Sequence, residues 1–268
     1  MKIYILGDSF TDNLFKIEID KIEKKESGSN QIRDYVNLLR SKNLPDPIHF
    51  GDYLKMWGHE VVNLGKGGCS NYAIYHQFTQ IKEPFDRIII NWTGFGRFEW
   101  YGKNDEVKTL TGGFPPNYNL TSIEEILAQQ SIDKLDNKRV IKETNDFISF
   151  FVDKFEKNKP IIWGIYCREA IKNNKGFIWD VTSDFYRDII PEFNKLDIES
   201  ETNGKITDRH YGRYGNFYTA LVFNTILEHT KDIEHDGYYN KDSDLVFKIK
   251  EKIKNTPHNI SDLRYSIL

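Results

Sequence analysis

The chain has little cysteine, no excess of one charge and no long apolar run, and each shortage removes a class of protein. Two cysteines, Cys69 and Cys167, in 268 residues give no disulfide framework and fit a reducing compartment. Lys and Arg number 37 against 40 Asp and Glu, so neither an acidic nor a basic partner is implied and nucleic-acid binding is not expected. No apolar run approaches membrane-spanning length, and the first residues form a strand pattern without the charged, apolar and cleavage regions of a secretion signal. A soluble, cytoplasmic protein is the expectation. The histidines show no HExxH spacing and no Cys/His cluster, and neither GxGxxG nor GxxxxGK[ST] occurs, so no metal or other cofactor is expected.

What is abundant is aromatic character, 14% of the residues, part of it in polar stretches at 95–101 and 114–118. Such residues suit either the lining of a sugar or acyl site or a local cluster beneath a long loop. Apolar, β-rich runs at 3–6, 60–64, 87–92 and 160–166 alternate with helical patterns, and a fifth is expected near 177–181. Alternation of this kind predicts a parallel sheet covered by helices on both faces. Helical spacing is carried by Ile32, Tyr35, Val36 and Leu39, by Ile148, Phe151, Val152 and Phe155, and by Tyr214, Phe217, Tyr218 and Leu221. Ser122-Ile123-Glu124-Glu125 has capping-box spacing, and Lys-rich 248–254 reads as a solvated helix face above Val246, Ile249 and Ile253. Two stretches exceed a minimal alternation, 12–47 and 98–137. Both follow strand ends and are expected to lie over the carboxyl edge of the sheet, where open α/β folds bind ligands.

The chemistry is concentrated in short segments. Gly7-Asp8-Ser9-Phe10 ends the first strand and delivers a serine hydroxyl, which needs an imidazole to take its proton and a carboxylate to orient that imidazole. His210 and Asp208 supply both, two residues apart, on one side of the chain if the segment is extended. The glycines of Asn63-Leu64-Gly65-Lys66-Gly67-Gly68-Cys69-Ser70-Asn71 permit a tight turn whose backbone N–H groups can face an oxyanion. Cys69 reads as a small buried residue. Arg97 can bind a carboxylate or sugar hydroxyls, or pair with Glu99 or an Asp to pin a loop.

In this order, the segments resemble the SGNH hydrolases, also called GDSL esterases and lipases, over residues 1–230. Gly7 to Phe10 are similar to the first block, 63–71 to the second with Gly68 as its oxyanion glycine, and 208–215 to the last. The resemblance implies a single domain over 1–268 with insertions near 12–47 and 98–137, built as a three-layer α/β/α sandwich around a central parallel sheet of flavodoxin-like type. It implies Ser9 as nucleophile, His210 as base, Asp208 as its orienting partner, and an oxyanion hole from Ser9, Gly68 and a third donor. The third block departs from the family's Gly-x-Asn-Asp, because Asn91-Trp92-Thr93-Gly94 has no Asn at the aligned position. Thr93 by its hydroxyl, Asn91 in a shifted register or Asn71 from the neighbouring loop can fill that place, and Asn71 and Arg97 are the candidate substrate-binding residues. One residue separates Asp208 from His210, where the commonest last block has two. The expected activity is removal of a small acyl group, acetyl, from a carbohydrate through an acyl-enzyme. The expected partner is a small-molecule or glycan ester, with neither nucleic acid nor membrane. The rivals are an acyltransferase with the same triad, a non-catalytic glycan-binding relative and a nucleotide- or flavin-binding protein of similar topology.

Overall fold

A computed structural model describes residues 1–8, 11–28, 30–93, 97–101, 107–111, 160–164, 177–180, 212–229 and 244–255, together with positions 142, 146, 149, 150, 154 and 155. The chain begins with strand β1 (Lys2–Leu6), followed by helices α1 (Leu14–Glu23), α2 (Gln31–Ser41) and α3 (Phe50–Met56). Strand β2 (Glu60–Asn63), helix α4 (Asn71–Thr79) and strand β3 (Arg87–Trp92) come next. Strands β4 (Arg97–Tyr101) and β5 (Val107–Thr111) follow, then β6 (Ile161–Gly164) and β7 (Phe177–Asp180). Helices α5 (Arg213–His229) and α6 (Asp244–Asn255) complete the described elements.

Five of the strands form one parallel sheet in the order β2-β1-β3-β6-β7. The protein is therefore an α/β fold. Its central strands are apolar at consecutive positions because both faces are covered. From β1, Ile3 and Ile5 join a core with Phe50, Tyr53 and Leu54 of α3, Phe217 and Phe223 of α5, and Ile249 and Ile253 of α6. Tyr4 and Leu6 point the other way, into a core with Ile88, Ile90 and Trp92 of β3, Ile74 of α4, and Phe155. Each fully buried aliphatic side chain contributes about 1.5–3 kcal/mol, so these two cores dominate what holds the sheet between its helices. Edge-to-face rings lock α3 to α5: Tyr53 and Phe217 stand 5.3 Å apart and Phe50 and Phe223 5.5 Å apart.

Segment 12–47 is mostly a helical pair with a small core of its own, Phe15, Ile32, Tyr35, Val36 and Leu39. Asn13 and Asn30 cap α1 and α2 by accepting from the N–H groups of Lys16 and Arg33. Between the helices, buried Arg33 donates to the Glu18 carboxylate and, through Nη1, to the carbonyls of Glu26 and Gly28. In the second extra segment the described part is an antiparallel hairpin of β4 and β5, with Arg97 opposite Thr111. Residues 112–137, including Ser122, lie outside the described residues, as do Ile148, Phe151 and Val152.

Among the described residues, no helix is long and apolar enough to cross a membrane.

Candidate functional site

In the sheet order, the crossovers change direction between β1 and β3, so the loops leaving these two strands bound a crevice at the carboxyl edge. Gly7 follows the last residue of β1 with φ +150°, and a Cβ there would come within 2.7 Å of Asn91 Cβ and of Thr11 Oγ1. Only glycine fits both the backbone and the space. The next carbonyl, that of Asp8, accepts from Thr11 N at 3.0 Å, Asp12 N at 3.0 Å and Thr11 Oγ1 at 2.8 Å. Asp8 and Thr11 are fully buried. Ser9 and Phe10 lie outside the described residues, and both flanks of that pair are thus anchored to each other.

The glycine-rich loop after β2 is bonded to this turn along its length. Asn63 Nδ2 donates to Thr11 O at 2.5 Å, Lys66 N to Gly7 O at 3.0 Å and Gly67 N to Asp12 Oδ2 at 2.7 Å. The loop turns at Gly68, where φ is +79° and nothing lies within 4 Å of the place a Cβ would occupy. Among the described residues the Gly68 N–H has no hydrogen-bond acceptor. A main-chain donor without an acceptor, in a loop where the N–H groups of Leu64, Gly65, Lys66, Gly67 and Cys69 are all bonded, suits binding of a developing oxyanion. Ser70 caps α4 by accepting from Ala73 N at 3.1 Å, and buried Cys69 accepts through Sγ from Gln77 Nε2 at 3.6 Å.

After β3, Thr93 is 1% exposed. Its N–H donates to Asn71 Oδ1 at 2.9 Å, and its carbonyl accepts from Asn71 Nδ2 at 3.1 Å. Its hydroxyl makes no hydrogen bond among the described residues. Of the three candidates for the third donor, Asn71 therefore has both ends of its amide on the Thr93 peptide groups, and Asn91 is completely buried behind Gly7. The Thr93 hydroxyl has no such commitment.

His210 and Asp208 lie outside the described residues, but the chain just beyond them does not. Gly212 O accepts from the backbone and side-chain nitrogens of Asn216, each at 3.0 Å. Asn216 Oδ1 in turn accepts from Phe50 N at 3.0 Å in the first turn of α3. Asp52, in that same turn, accepts from Asn13 Nδ2 at 2.6 Å, and Arg213 N donates to the Tyr35 hydroxyl at 3.2 Å. The described residues that follow Ser9 and those that follow His210 are thus tied to a single helix turn. Arg97 opens β4, and its side chain is outside the described set.

Sequence reasoning passed over Gln77, Thr11 and Asn216, which do much of this bonding, and named Asn63 only as the start of the glycine-rich segment. Gln77 and Asn216 had a readable signal: each is a polar residue one helical turn from buried apolar ones, Ile74 for Gln77 and Ala220 for Asn216. No known protein gives the site a second reading, because no family model, no curated protein and no solved structure matches this chain.

Proposed function

We propose that this protein is a metal-independent serine ester hydrolase of SGNH type, with a flavodoxin-like sheet. The reading rests on the Gly68 peptide, whose N–H has no acceptor among the described residues, in a loop joined by three hydrogen bonds to the residues on either side of Ser9. The strand order agrees with it, counted along the sheet as second, first, third, fourth and fifth.

In the reaction, Ser9 Oγ attacks the ester carbonyl as His210 takes its proton, and Asp208 holds His210 in the tautomer that can accept it. The tetrahedral oxyanion receives the N–H groups of Ser9 and Gly68 and the Thr93 hydroxyl. His210 returns the proton to the departing alcohol, and water activated by the same imidazole then releases the acid from Ser9. The substrate class we assign is a small acyl ester, acetyl, on a carbohydrate, in keeping with the aromatic content of the second inserted segment.

Reaction of the purified protein with a fluorophosphonate probe tests the proposal. Labelling that disappears in Ser9→Ala is expected. Absence of labelling in folded protein would favour the non-catalytic glycan-binding reading, and release of long-chain acids without acetate would overturn the acyl assignment.

A further inference from the structure

Two side chains of α4 carry the same device. Asn71 accepts from the Thr93 N–H at 2.9 Å and donates to the Thr93 carbonyl at 3.1 Å. Gln77, six residues later, accepts from the Gly7 N–H at 2.8 Å and donates to the Gly7 carbonyl at 2.9 Å. Gly7 and Thr93 are equivalent positions, each the first residue beyond the end of its strand, and those strands, β1 and β3, are neighbours in the sheet. A primary amide offers one acceptor and two donors, so each side chain continues the sheet by one residue without a further strand. Gln77 Nε2 also reaches Cys69 Sγ at 3.6 Å, in the loop after β2. One helix thereby grips the loops that leave all three strands at the crevice.

We infer that α4 is a positioning crossbar: Asn71 and Gln77 set the height of Gly7, two residues before Ser9, against Thr93 and so the reactivity of Ser9, without touching substrate. This rests on the hydrolase reading above. Both side chains are at least nine-tenths buried, with 9% exposure for Asn71 and 5% for Gln77, so they are shielded from water that would loosen the bonds. The need for such a device follows from the chemistry. An oxyanion hole assembled from separate loops works only if its donors are held to a fraction of an ångström, and a displacement near 1 Å costs about 100-fold in rate. Pairing between β1 and β3 stops at Leu6 and Ile90 and that between β3 and β6 at Trp92 and Gly164, so beyond them the ladder does not hold Gly7 against Thr93, and the main-chain bond that Gly7 keeps, from Lys66 N, runs to the loop after β2.

The test measures two things in the full-length protein: the rate of fluorophosphonate labelling at Ser9 against pH, and hydrogen exchange at the Gly7 and Thr93 amides. Gln77→Met is expected to speed exchange at Gly7 but not at Thr93, and Asn71→Leu the reverse. Each should slow labelling about 10–100-fold with the pH midpoint unchanged, because the base is not altered. Gln77→Glu and Asn71→Asp keep the shape and the acceptor and exchange the amide donor for a carboxyl proton. Protonated, they should label between wild type and the apolar variants, and ionised they should label more slowly still, because a carboxylate then faces a carbonyl; that added pH dependence carries the test if the apolar variants do not fold. Folded variants labelled within twofold of wild type would overturn the crossbar while leaving the hydrolase intact. A wild-type protein that does not label at Ser9 would overturn the hydrolase reading and, with it, the catalytic role given to α4.

Discussion

The two edges of the same parallel sheet are closed by opposite means. At the amino edge, Lys2 forms ion pairs with Glu60 and Glu83, whose carboxylates are 67% and 66% exposed. Both glutamates raise the Lys2 ammonium above its usual range, chiefly by hydrogen bonding, and Lys2 holds the Glu83 carboxyl below its own. At the carboxyl edge the polar groups are buried instead: Asp8, Thr11, Asn71, Gln77, Asn91 and Thr93 are all at most 9% exposed. Exposed pairs tolerate change because water replaces the lost partner, whereas a buried amide has nothing else to bond. The strands are fastened by exposed charges at the amino edge and by buried polar groups at the carboxyl edge, where the candidate chemistry lies.

Substitutions can break that contrast. The largest effect is expected from Gly7→Ala, which forces a Cβ against Asn91 and Thr11 at a φ reserved for glycine. It should lower stability by more than about 3 kcal/mol in urea denaturation. Thr93→Val separates function from stability at the same edge. It removes a hydroxyl without a hydrogen-bond partner among the described residues, so the unfolding midpoint should barely move while ester hydrolysis falls by about 10²–10³-fold, the usual cost of one oxyanion donor. A small loss of activity would return the third donor to open competition.

Gly68→Ala is the next test, smaller in its effect on the fold. The space is open but the φ of +79° is not suited to a side chain, so the fold should lose about 1–2 kcal/mol. An intermediate case lies in the inserted helical pair. Burial pushes the Glu18 carboxyl up, but hydrogen bonds from Lys21 and Asn30 and the charges of Lys21 and Arg33 outweigh this and leave it below its usual value. Its stabilisation is therefore complete above the ordinary carboxylate range and is lost as pH falls through the lowered folded value. In acid titrations of stability, Glu18→Gln should flatten that limb. The smallest effect belongs to Glu83→Gln at the amino edge, where the unfolding midpoint is expected to stay within error.

The central strands of the main sheet were legible in the amino acids because burial on both faces demands uninterrupted apolar runs, and 3–6 and 87–92 correspond to β1 and β3; the run expected near 177–181 corresponds to β7. The helical spacing of Ile32, Tyr35, Val36 and Leu39 became α2, and that of Phe217, Tyr218 and Leu221 became α5. Helix α1 escaped notice because its inner face holds Glu18, a charge that is acceptable there only beside Arg33 from a different helix. The β4–β5 hairpin was hidden by its aromatics, which read as site lining or as a loop cluster and drew attention from the strand pairing of Arg97 to Tyr101 with Val107 to Thr111. Of the candidate site, the glycines and Thr93 could be named from composition and order. The clamps were legible only in part: Asn71 was named for another role and Gln77 stands out as a polar residue on a buried helix face, but the backbone partners Thr93 and Gly7 are 22 and 70 residues away and leave no local pattern.

The position of β1 inside the sheet has a consequence during synthesis. Its register partners are Glu60 to Asn63 on one side and Arg87 to Ile90 on the other, so neither neighbour exists when β1 leaves the ribosome. At about 5–20 residues per second, an apolar strand with two unpaired edges waits several seconds for the chain that will cover it. For that interval the Ile-Tyr-Ile-Leu segment presents unpaired edges that favour association with other chains, and slower decoding before residue 92 would lengthen its exposure.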